Sequence, residues 1–278
     1  MKISNIETIR VSDPSDAIWV RVHTDTGLIG LGETWYASRT VESAVHDHFA
    51  PLIVGRDPFA IERHWLNMFR LSDHAGYGGA ELRAISAIDM ALWDIKGKSL
   101  NKPVNELLGG PVRDKIRLYT HLSGTTPEEL RDESKEMVEQ GFTALRFYPF
   151  GNFGNRSFAE GTGLEKMSYT SMQRYAVERV KAVRESVGPD IDLMIDVVNR
   201  LTPPEAIGLG NALADFNLYF FEDPIEPENM DVWEQVASRQ PIPIAMGERL
   251  YTIYQFRDLL NHNGASYLRP DPSLVGGI

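Results

Sequence analysis

Cysteine is absent from the 278-residue sequence, and this excludes disulfide bonds and thiolate catalysis in the chain. Long apolar runs are also missing, since no stretch approaches the roughly 20 residues that a membrane-spanning helix needs. The first residues, Lys2-Ile3-Ser4-Asn5-Ile6-Glu7, alternate in polarity and include an acid, unlike a secretory signal peptide. We therefore expect a cytoplasmic protein without a membrane partner.

Basic residues are few compared with acidic ones. The chain has 28 Lys and Arg against 39 Asp and Glu, a formal net charge of −11. This excess argues against nucleic acid and anionic membranes as partners. The apolar content of 42 % is ordinary for a globular protein with a core, and the length allows one large domain or two.

Three acidic residues stand out among the residues that are present. Asp196, Glu222 and Glu248 each end a short apolar run, and successive members are 26 positions apart. A strand, a helix and two loops fill about that length, and a TIM barrel of roughly 250 residues consists of eight such units. Because functional residues of that fold lie at the C-terminal ends of its strands, the spacing predicts that the three carboxylates converge.

Three converging carboxylates repel one another, and burial increases the repulsion. A hard divalent cation removes this conflict, and a ligand set of oxygen atoms without histidine or cysteine suits Mg²⁺. We therefore predict a Mg²⁺ site formed by Asp196, Glu222 and Glu248. The alternative is that these acids only face solvent at the ends of strands.

The rest of the chain divides into two patterns. Residues 1–115 read as antiparallel strands followed by helices, an α+β domain, whereas residues 116–278 alternate strand and helix over about six units. Glycine-bearing loops are predicted at 72–79 and 151–166. The runner-up for the second domain, an open doubly wound sheet, is weakened because no glycine-rich turn follows its first strand.

Three phrases resemble the enolase superfamily, and within it the mandelate racemase/muconate lactonizing group with its acid-sugar (galactonate-type) dehydratases. They are Phe221-Glu222-Asp223-Pro224, Met246-Gly247-Glu248-Arg249-Leu250 and Arg269-Pro270-Asp271. The resemblance implies an α/β fold, a TIM-type (β/α) barrel with an N-terminal α+β capping domain. It also implies a Mg²⁺-dependent lyase that dehydrates a small sugar acid through an enediolate, in a chain that self-associates as a homo-oligomer.

The acid–base residues depart from the pattern of that group. Arg146 and Tyr148 lie two apart on a predicted strand, so both point into the barrel while Phe147 points to the helices. Lysine often stands at these positions in the family, and arginine is a poor base. We predict Tyr148 as a phenolate base with Arg146 as its electrostatic partner. The alternative is that Arg146 pairs with the carboxylates and Tyr148 only lines the pocket.

Two further acid–base positions lack their usual partners. The resemblance implies that Asp271 orients a histidine from a seventh strand, but the last histidine of this sequence is His262. Many of the resembling dehydratases carry histidine where this chain has Val198.

Four residues are candidates for contact with the substrate. They are Trp35, Tyr36, Asn199 and Arg249. The first two can form a lid that excludes water or can be core residues. Asn199 can instead serve hydrogen bonding within its loop.

The length of the second domain leads to a further expectation. Residues 116–278 number 163 against roughly 250 for a whole barrel, and six strands are counted where closure needs eight. We therefore expect an incomplete, C-terminally truncated barrel with impaired catalysis. The open alternatives are a racemase or cycloisomerase on the same scaffold, and a catalytically inactive homologue that binds metal.

Overall fold

The computed structural model describes residues 1–10, 16–74, 78–151 and 167–278, which form two compact units. The first unit comprises Met1–Asp114, Glu248–Gln255 and Pro270–Ile278, and the second comprises Lys115–Gly247 and Phe256–Arg269. The predicted loop at 72–79 is described only in part, and all but the first residue of the predicted loop at 151–166 lies outside the described residues. The division into 1–115 and 116–278 stays a prediction.

The first unit begins with a three-stranded antiparallel sheet. Its strands, in spatial order, are β1 (Ile3–Arg10), β2 (Ala17–Thr24) and β3 (Ile29–Trp35). Along β2 the buried side chains of Ile18, Val20 and Val22 alternate with more exposed ones, so a single face of the strand is buried. This confirms the predicted antiparallel strands, although β3 runs two residues further than expected and ends at Trp35.

Helices complete the first unit. They are α1 (Ser38–Ser43), a π-helix (Ala44–Phe49), α2 (Ala50–Ile53), α3 (Ile61–Leu71), α4 (Ala80–Leu100) and α5 (Val104–Leu107). As its pattern predicts, α4 is buried on most of its faces. It packs directly on β3, where a Cβ at Gly30 or Gly32 would collide with the carbonyl oxygens of Ala91 or Ala87.

The segment 270–278 belongs to this unit through hydrogen bonds. The Nε1 of Trp65 donates to the carbonyl of Gly276 (2.7 Å), and the backbone N–H of Ile278 donates to Oδ2 of Asp89 (2.8 Å). Asp89 is buried on α4, and burial raises its pKa to about 7, with Glu62 adding to the shift and the N–H of Ile278 opposing it. This carboxyl forms no salt bridge with the described residues.

The second unit alternates strands and helices. Its elements in chain order are β4 (Thr120–Leu122), α6 (Pro127–Glu139), β5 (Ala144–Phe147), α7 (Tyr169–Val187), β6 (Asp192–Asp196), α8 (Pro203–Ala212), a 3₁₀ turn (Ala214–Phe216), β7 (Phe220–Glu222), α9 (Met230–Arg239), β8 (Ile244–Met246), α10 (Ile253–Asn261) and β9 (Tyr267–Leu268). Helix α10 starts in the segment Glu248–Gln255 of the first unit. The first strand begins later than the predicted Ile116, because its ladder with β5 covers only Thr120–Leu122.

Capping residues set the beginnings of two helices in this unit. The side chain of Thr126 accepts from the N–H of Glu129, whose carboxylate returns to the N–H of Thr126, and Pro127 takes the first helical position of α6. Thr202 and Glu205 form the same box at α8. Each box satisfies backbone donors that a helix end leaves unpaired.

The six strands are parallel and follow the spatial order β4-β5-β6-β7-β8-β9. This sequential order has no reversal, whereas a doubly wound sheet reverses its order at a switch point. The runner-up architecture is therefore wrong, and the predicted α/β barrel-type sheet that does not close is confirmed for the described residues. Among them no helix combines the length and the apolar character needed to cross a membrane.

Candidate active site

Two carboxylates meet at the C-terminal ends of β6 and β7. Asp196 is the last residue of β6, Glu222 is the last residue of β7, and the parallel register places them side by side. Both are buried, at 1 % and 0 % exposure, because the preceding residues of each strand are apolar and buried. The structure thus brings together two of the three predicted metal ligands.

Both oxygens of Asp196 have protein partners. Oδ1 accepts the backbone N–H of Val198 (2.8 Å), and Oδ2 forms an ion pair with Nη2 of Arg146 (3.0 Å). Burial raises the pKa of Asp196 above its ordinary value, and Arg146 and the N–H of Val198 oppose this effect. Arg146 therefore favours the ionised form of Asp196, against the effect of burial.

One carboxylate oxygen of Glu222 is paired with positive charge, and the other has no hydrogen-bond partner among the described residues. Oε1 accepts from Nη1 of Arg146 (2.6 Å) and also contacts Nη1 of Arg269. Oε2 is buried and has no hydrogen-bond partner among the described residues. A buried carboxylate oxygen without a partner is costly unless a ligand or cation occupies its remaining site, so this atom marks a coordination position.

Asp223 is a candidate ligand that the sequence reasoning did not assign, although it stands within a quoted motif. It is buried, and one of its carboxylate oxygens lies within 4.8 Å of one of Glu222. Its backbone φ is 41°, and those of Val198 and Asn199 are 52° and 58°. A left-handed conformation is rare for a β-branched residue such as valine, and residues so strained cluster at functional sites.

Arg146 lies on β5, and Tyr148 directly follows the strand. Phe147 is fully buried on the opposite face of β5, and the guanidinium carbon of Arg146 lies 5.8 Å from the ring of Tyr148. Because Arg146 is paired with both Asp196 and Glu222, the geometry agrees with the alternative in which it neutralises the carboxylates. The role of Tyr148 as a base stays a prediction.

His121 was missed by the sequence reasoning. It lies on β4 in register with Arg146, and its ring is 4.6 Å from that of Tyr148. Its Nε2 is buried with no partner within the part of the chain that the structure describes. Burial, with Arg146 second, lowers the pKa of His121 and favours the neutral imidazole. Its position near the end of the first parallel strand was the available signal.

The predicted residues of the first unit form a separate group. Trp35 and Tyr36 are both exposed, their rings are 4.4 Å apart, and Nε1 of Trp35 donates to Oδ2 of Asp271 (3.4 Å). Asp271 also accepts the N–H of Ser273 (2.8 Å) through Oδ1. Tyr36 and Ala37 have φ values of 65° and 54°, and such conformations cost about 1–3 kcal/mol each.

Three predicted residues remain. Glu248 is half-buried and Arg249 is exposed, directly after Gly247 in a segment of the first unit, and their functional roles stay predictions. Asn199 is buried, and its backbone N–H donates to the carbonyl of Asp223 (2.7 Å). This contact agrees with the alternative of hydrogen bonding between loops, and contact with a substrate stays a prediction.

The donor set fits a hard divalent cation. Glu222 and Asp223 are both buried in the second unit, have carboxylate oxygens within 4.8 Å of each other, and supply oxygen atoms only. Oε2 of Glu222 has no hydrogen-bond partner among the described residues, whereas the oxygens of Asp196 on the neighbouring strand contact Arg146 and the N–H of Val198. Oxygen ligands of this kind suit Mg²⁺ rather than softer metals.

Comparisons with known proteins identify the family. The family described as "Mandelate racemase / muconate lactonizing enzyme, N-terminal domain" matches residues 8–109, and "Enolase C-terminal domain-like" matches residues 129–278. The chain belongs to the mandelate racemase/muconate lactonizing group of the enolase superfamily. This confirms the resemblance that the three motifs indicate, and the six parallel strands are those of an enolase-superfamily barrel domain.

Relatives of known name lie within the same group. A "D-galactonate dehydratase family member" of Streptomyces bingchenggensis is 35 % identical over 98 % of this chain and 70 % of its own length. A "D-galactonate dehydratase" of Variovorax paradoxus is 34 % identical over 100 % of this chain and 69 % of its own length.

Solved structures agree with the fold of this group member. A candidate dehydratase from Salmonella enterica serovar Typhimurium has a TM-score of 0.90 at 32 % identity, over 99 % of this chain and 75 % of that one. A candidate galactarate dehydratase from Agrobacterium radiobacter, with Na and L-malate bound, has a TM-score of 0.88 at 30 % identity. This match covers 100 % of the present chain and 69 % of the other.

Proposed function

We propose that this member of the group is a Mg²⁺-dependent lyase that removes water from a small sugar acid. The observation that carries the proposal is the buried pair of Asp196 and Glu222 at adjacent strand ends, with Oε2 of Glu222 left without a partner among the described residues. The names of the relatives support a sugar acid as substrate, since two of them are galactonate dehydratases or members of that family.

Asp196, Glu222 and Glu248 would hold the cation, and Asp223 is close enough to Glu222 to support it. A bound Mg²⁺ would supply positive charge for the substrate carboxylate and for the negative charge that develops when the α-proton leaves. The reaction removes a proton from the α-carbon and hydroxide from the β-carbon as water, and tautomerisation then gives a 2-keto acid. Arg146 supplies a fixed positive charge beside the ring of Tyr148.

Tyr148 is the proposed proton acceptor. The guanidinium carbon of Arg146 lies 5.8 Å from its ring, and the ring of His121 lies 4.6 Å from it. A nearby cation stabilises a phenolate, because the opposite charge favours the ionised form. General acid–base catalysis of this kind contributes about 10²–10⁴-fold to a rate.

A panel of aldonates and aldarates tests the proposal. We expect 2-keto product from at least one sugar acid in the presence of Mg²⁺, with no product after chelation or in Glu222→Gln. Tyr148→Phe should lose most of the rate while it retains Mg²⁺ binding. Absence of keto product across the whole panel, from protein that binds Mg²⁺, would contradict the proposed dehydration.

Two alternatives on the same scaffold remain distinguishable. A racemase or cycloisomerase would exchange the α-proton with deuterium from solvent without forming keto product. A homologue that binds metal without turnover is favoured by two observations, the ion pairs of Arg146 with both carboxylates and valine at position 198. That protein would show Mg²⁺-linked stabilisation but neither keto product nor deuterium exchange.

A further inference from the structure

The aromatic pair at the end of β3, Trp35 and Tyr36, is exposed. Trp35 retains 42 % and Tyr36 37 % of their possible exposure, and the two rings lie 4.4 Å apart with an angle of 48° between their planes. Large aromatic side chains normally contribute to stability through burial, so folding gains little from this arrangement. An exposed and ordered pair of rings is typical of a surface that receives a ligand.

The backbone beneath the pair is held in a conformation that these residue types avoid. Tyr36 and Ala37 are consecutive left-handed residues, with φ values of 65° and 54°. Neither is glycine or asparagine, the residues that adopt this region most readily. Strain of this kind persists only where surrounding contacts enforce it, and it is concentrated at ligand clamps and active sites.

Arg83 provides the strongest of these contacts. It lies in the first turn of α4, is 9 % exposed, and donates from Nη1 to the carbonyl oxygen of Trp35 at 2.7 Å. Its guanidinium carbon is 5.8 Å from the ring of Trp35 and 5.5 Å from that of Tyr36. The one group therefore binds the strand end by a hydrogen bond and both rings by cation–π contact.

The second anchor of the pair is weaker. Nε1 of Trp35 donates to Oδ2 of Asp271 at 3.4 Å, near the limit of a hydrogen bond. Arg83 forms no salt bridge with any acid in the described ranges, so the strand-end carbonyl and the two aromatic faces take the place of a carboxylate partner. A buried guanidinium normally pairs with an anion, and its use here on an exposed loop points to a positioning role.

We propose that Arg83 is a positioning residue that holds Trp35 and Tyr36 as a preformed aromatic platform for the C–H face of a polyhydroxy acid. The aromatic faces are negative and attract the positively polarised C–H groups of such a ligand. The identity of the ligand rests on the proposed function, whereas the ordering of the platform by Arg83 does not. Lysine cannot replace this residue fully, because it lacks the planar group that hydrogen bonds and stacks together.

The first test needs no ligand. The backbone N–H groups of Thr40 and Val41 both donate to the carbonyl of Ala37, so their hydrogen exchange reports on the ordered turn. We expect Arg83→Met to accelerate this exchange at least about tenfold and to reduce the near-ultraviolet circular dichroism that Trp35→Phe also removes. Arg83→Lys should recover part of both signals. Arg63→Met, which changes an exposed arginine on α3, is the matched control and should leave both unchanged.

The second test measures the binding of D-galactonate in the presence of Mg²⁺ by titration calorimetry. We expect Arg83→Met to weaken binding about tenfold or more with little change in the Mg²⁺ affinity, and in turnover to raise KM much more than it lowers kcat. Unchanged exchange, dichroism and binding in Arg83→Met would overturn the proposal, as would a loss of stability alone. If the parent protein binds no sugar acid, the proposed function and the ligand assignment both fail, and the ligand-free measurements still decide the role of Arg83.

Discussion

The charged residues at the ends of β6 and β7 are buried, whereas the aromatic residues at the end of β3 are exposed. Asp196 and Glu222 are stabilised by charge, since Arg146 contacts both and Arg269 contacts Glu222. Trp35 and Tyr36 instead lie on a backbone segment with left-handed residues, both rings contact the guanidinium of Arg83, and Trp35 also donates to Asp271. Buried charges need partners of opposite sign to be stable. Exposed rings keep a defined position where the main chain beneath them is fixed.

The largest loss of stability is expected from a substitution that removes a buried carboxylate together with its compensation of neighbouring charges. Glu222→Ala leaves Arg146 and Arg269 with one fewer anion, and breaking a buried ion pair costs about 3–5 kcal/mol. The same change should abolish stabilisation by Mg²⁺. Chemical denaturation with and without Mg²⁺ measures both effects, and Asp215→Ala, at an exposed acid of the same unit, is the control. A melting shift with Mg²⁺ equal to that of the parent would show that the metal site is misassigned.

Removal of the guanidinium of Arg146, which both carboxylates share, should give the next largest loss of stability. It should increase the stabilisation by Mg²⁺, whereas Glu222→Ala should abolish it. Arg146→Met leaves Asp196 without its ion pair and Glu222 with Arg269 alone, so we expect a loss of about 3 kcal/mol without Mg²⁺. Because Mg²⁺ then becomes the main partner of the two carboxylates, it should stabilise this variant more than it stabilises the parent. Equal Mg²⁺ shifts in the two proteins would indicate that Arg146 does not neutralise the site.

Asp89 can be compared with Asp196 and Glu222, because it is also a buried carboxyl but has no salt bridge among the described residues. Its folded pKa is raised to about 7 against 3.8 for the ordinary group, so the folded state binds the proton more tightly. The resulting stability is fully present below about pH 4 and is lost as pH rises to about 7, by at most about 1.4 kcal/mol per pH unit. Asp89→Asn should remove this slope in denaturation curves measured from pH 4 to 8. A parent and variant with parallel pH profiles would disprove the shift.

The smallest effect concerns backbone strain in the charged region. Val198 has φ 52°, which asparagine tolerates and a β-branched residue does not. Val198→Asn should therefore raise the free energy of unfolding by about 1 kcal/mol without Mg²⁺. Val112→Asn, at an exposed position, should have little effect. A stability loss in Val198→Asn would mean that packing of the valine side chain outweighs the strain.

Much of the fold followed from pattern. Antiparallel strands followed by helices were predicted for the first part of the chain and alternating strands and helices for the second, and the structure contains both patterns. Boundaries were less accurate, since the predicted strand from Ile116 begins at Thr120. The hydrogen-bonded pairing with a neighbouring strand sets where a strand begins. The sequence of one strand does not specify which residues of the neighbouring strand it pairs with.

The sequence by itself determined which residues carry charge at the ends of strands. The equal spacing of Asp196, Glu222 and Glu248 and the motifs around them were sufficient to indicate the family and to predict a metal site. Only the tertiary structure decided how those charges are compensated. Arg146 on β5 and Arg269, directly after β9, reach Glu222 from distant parts of the chain, and Arg83 on α4 reaches Trp35 on β3. Such pairings depend on distances through space, and burial then sets their strength, so no local pattern specifies them.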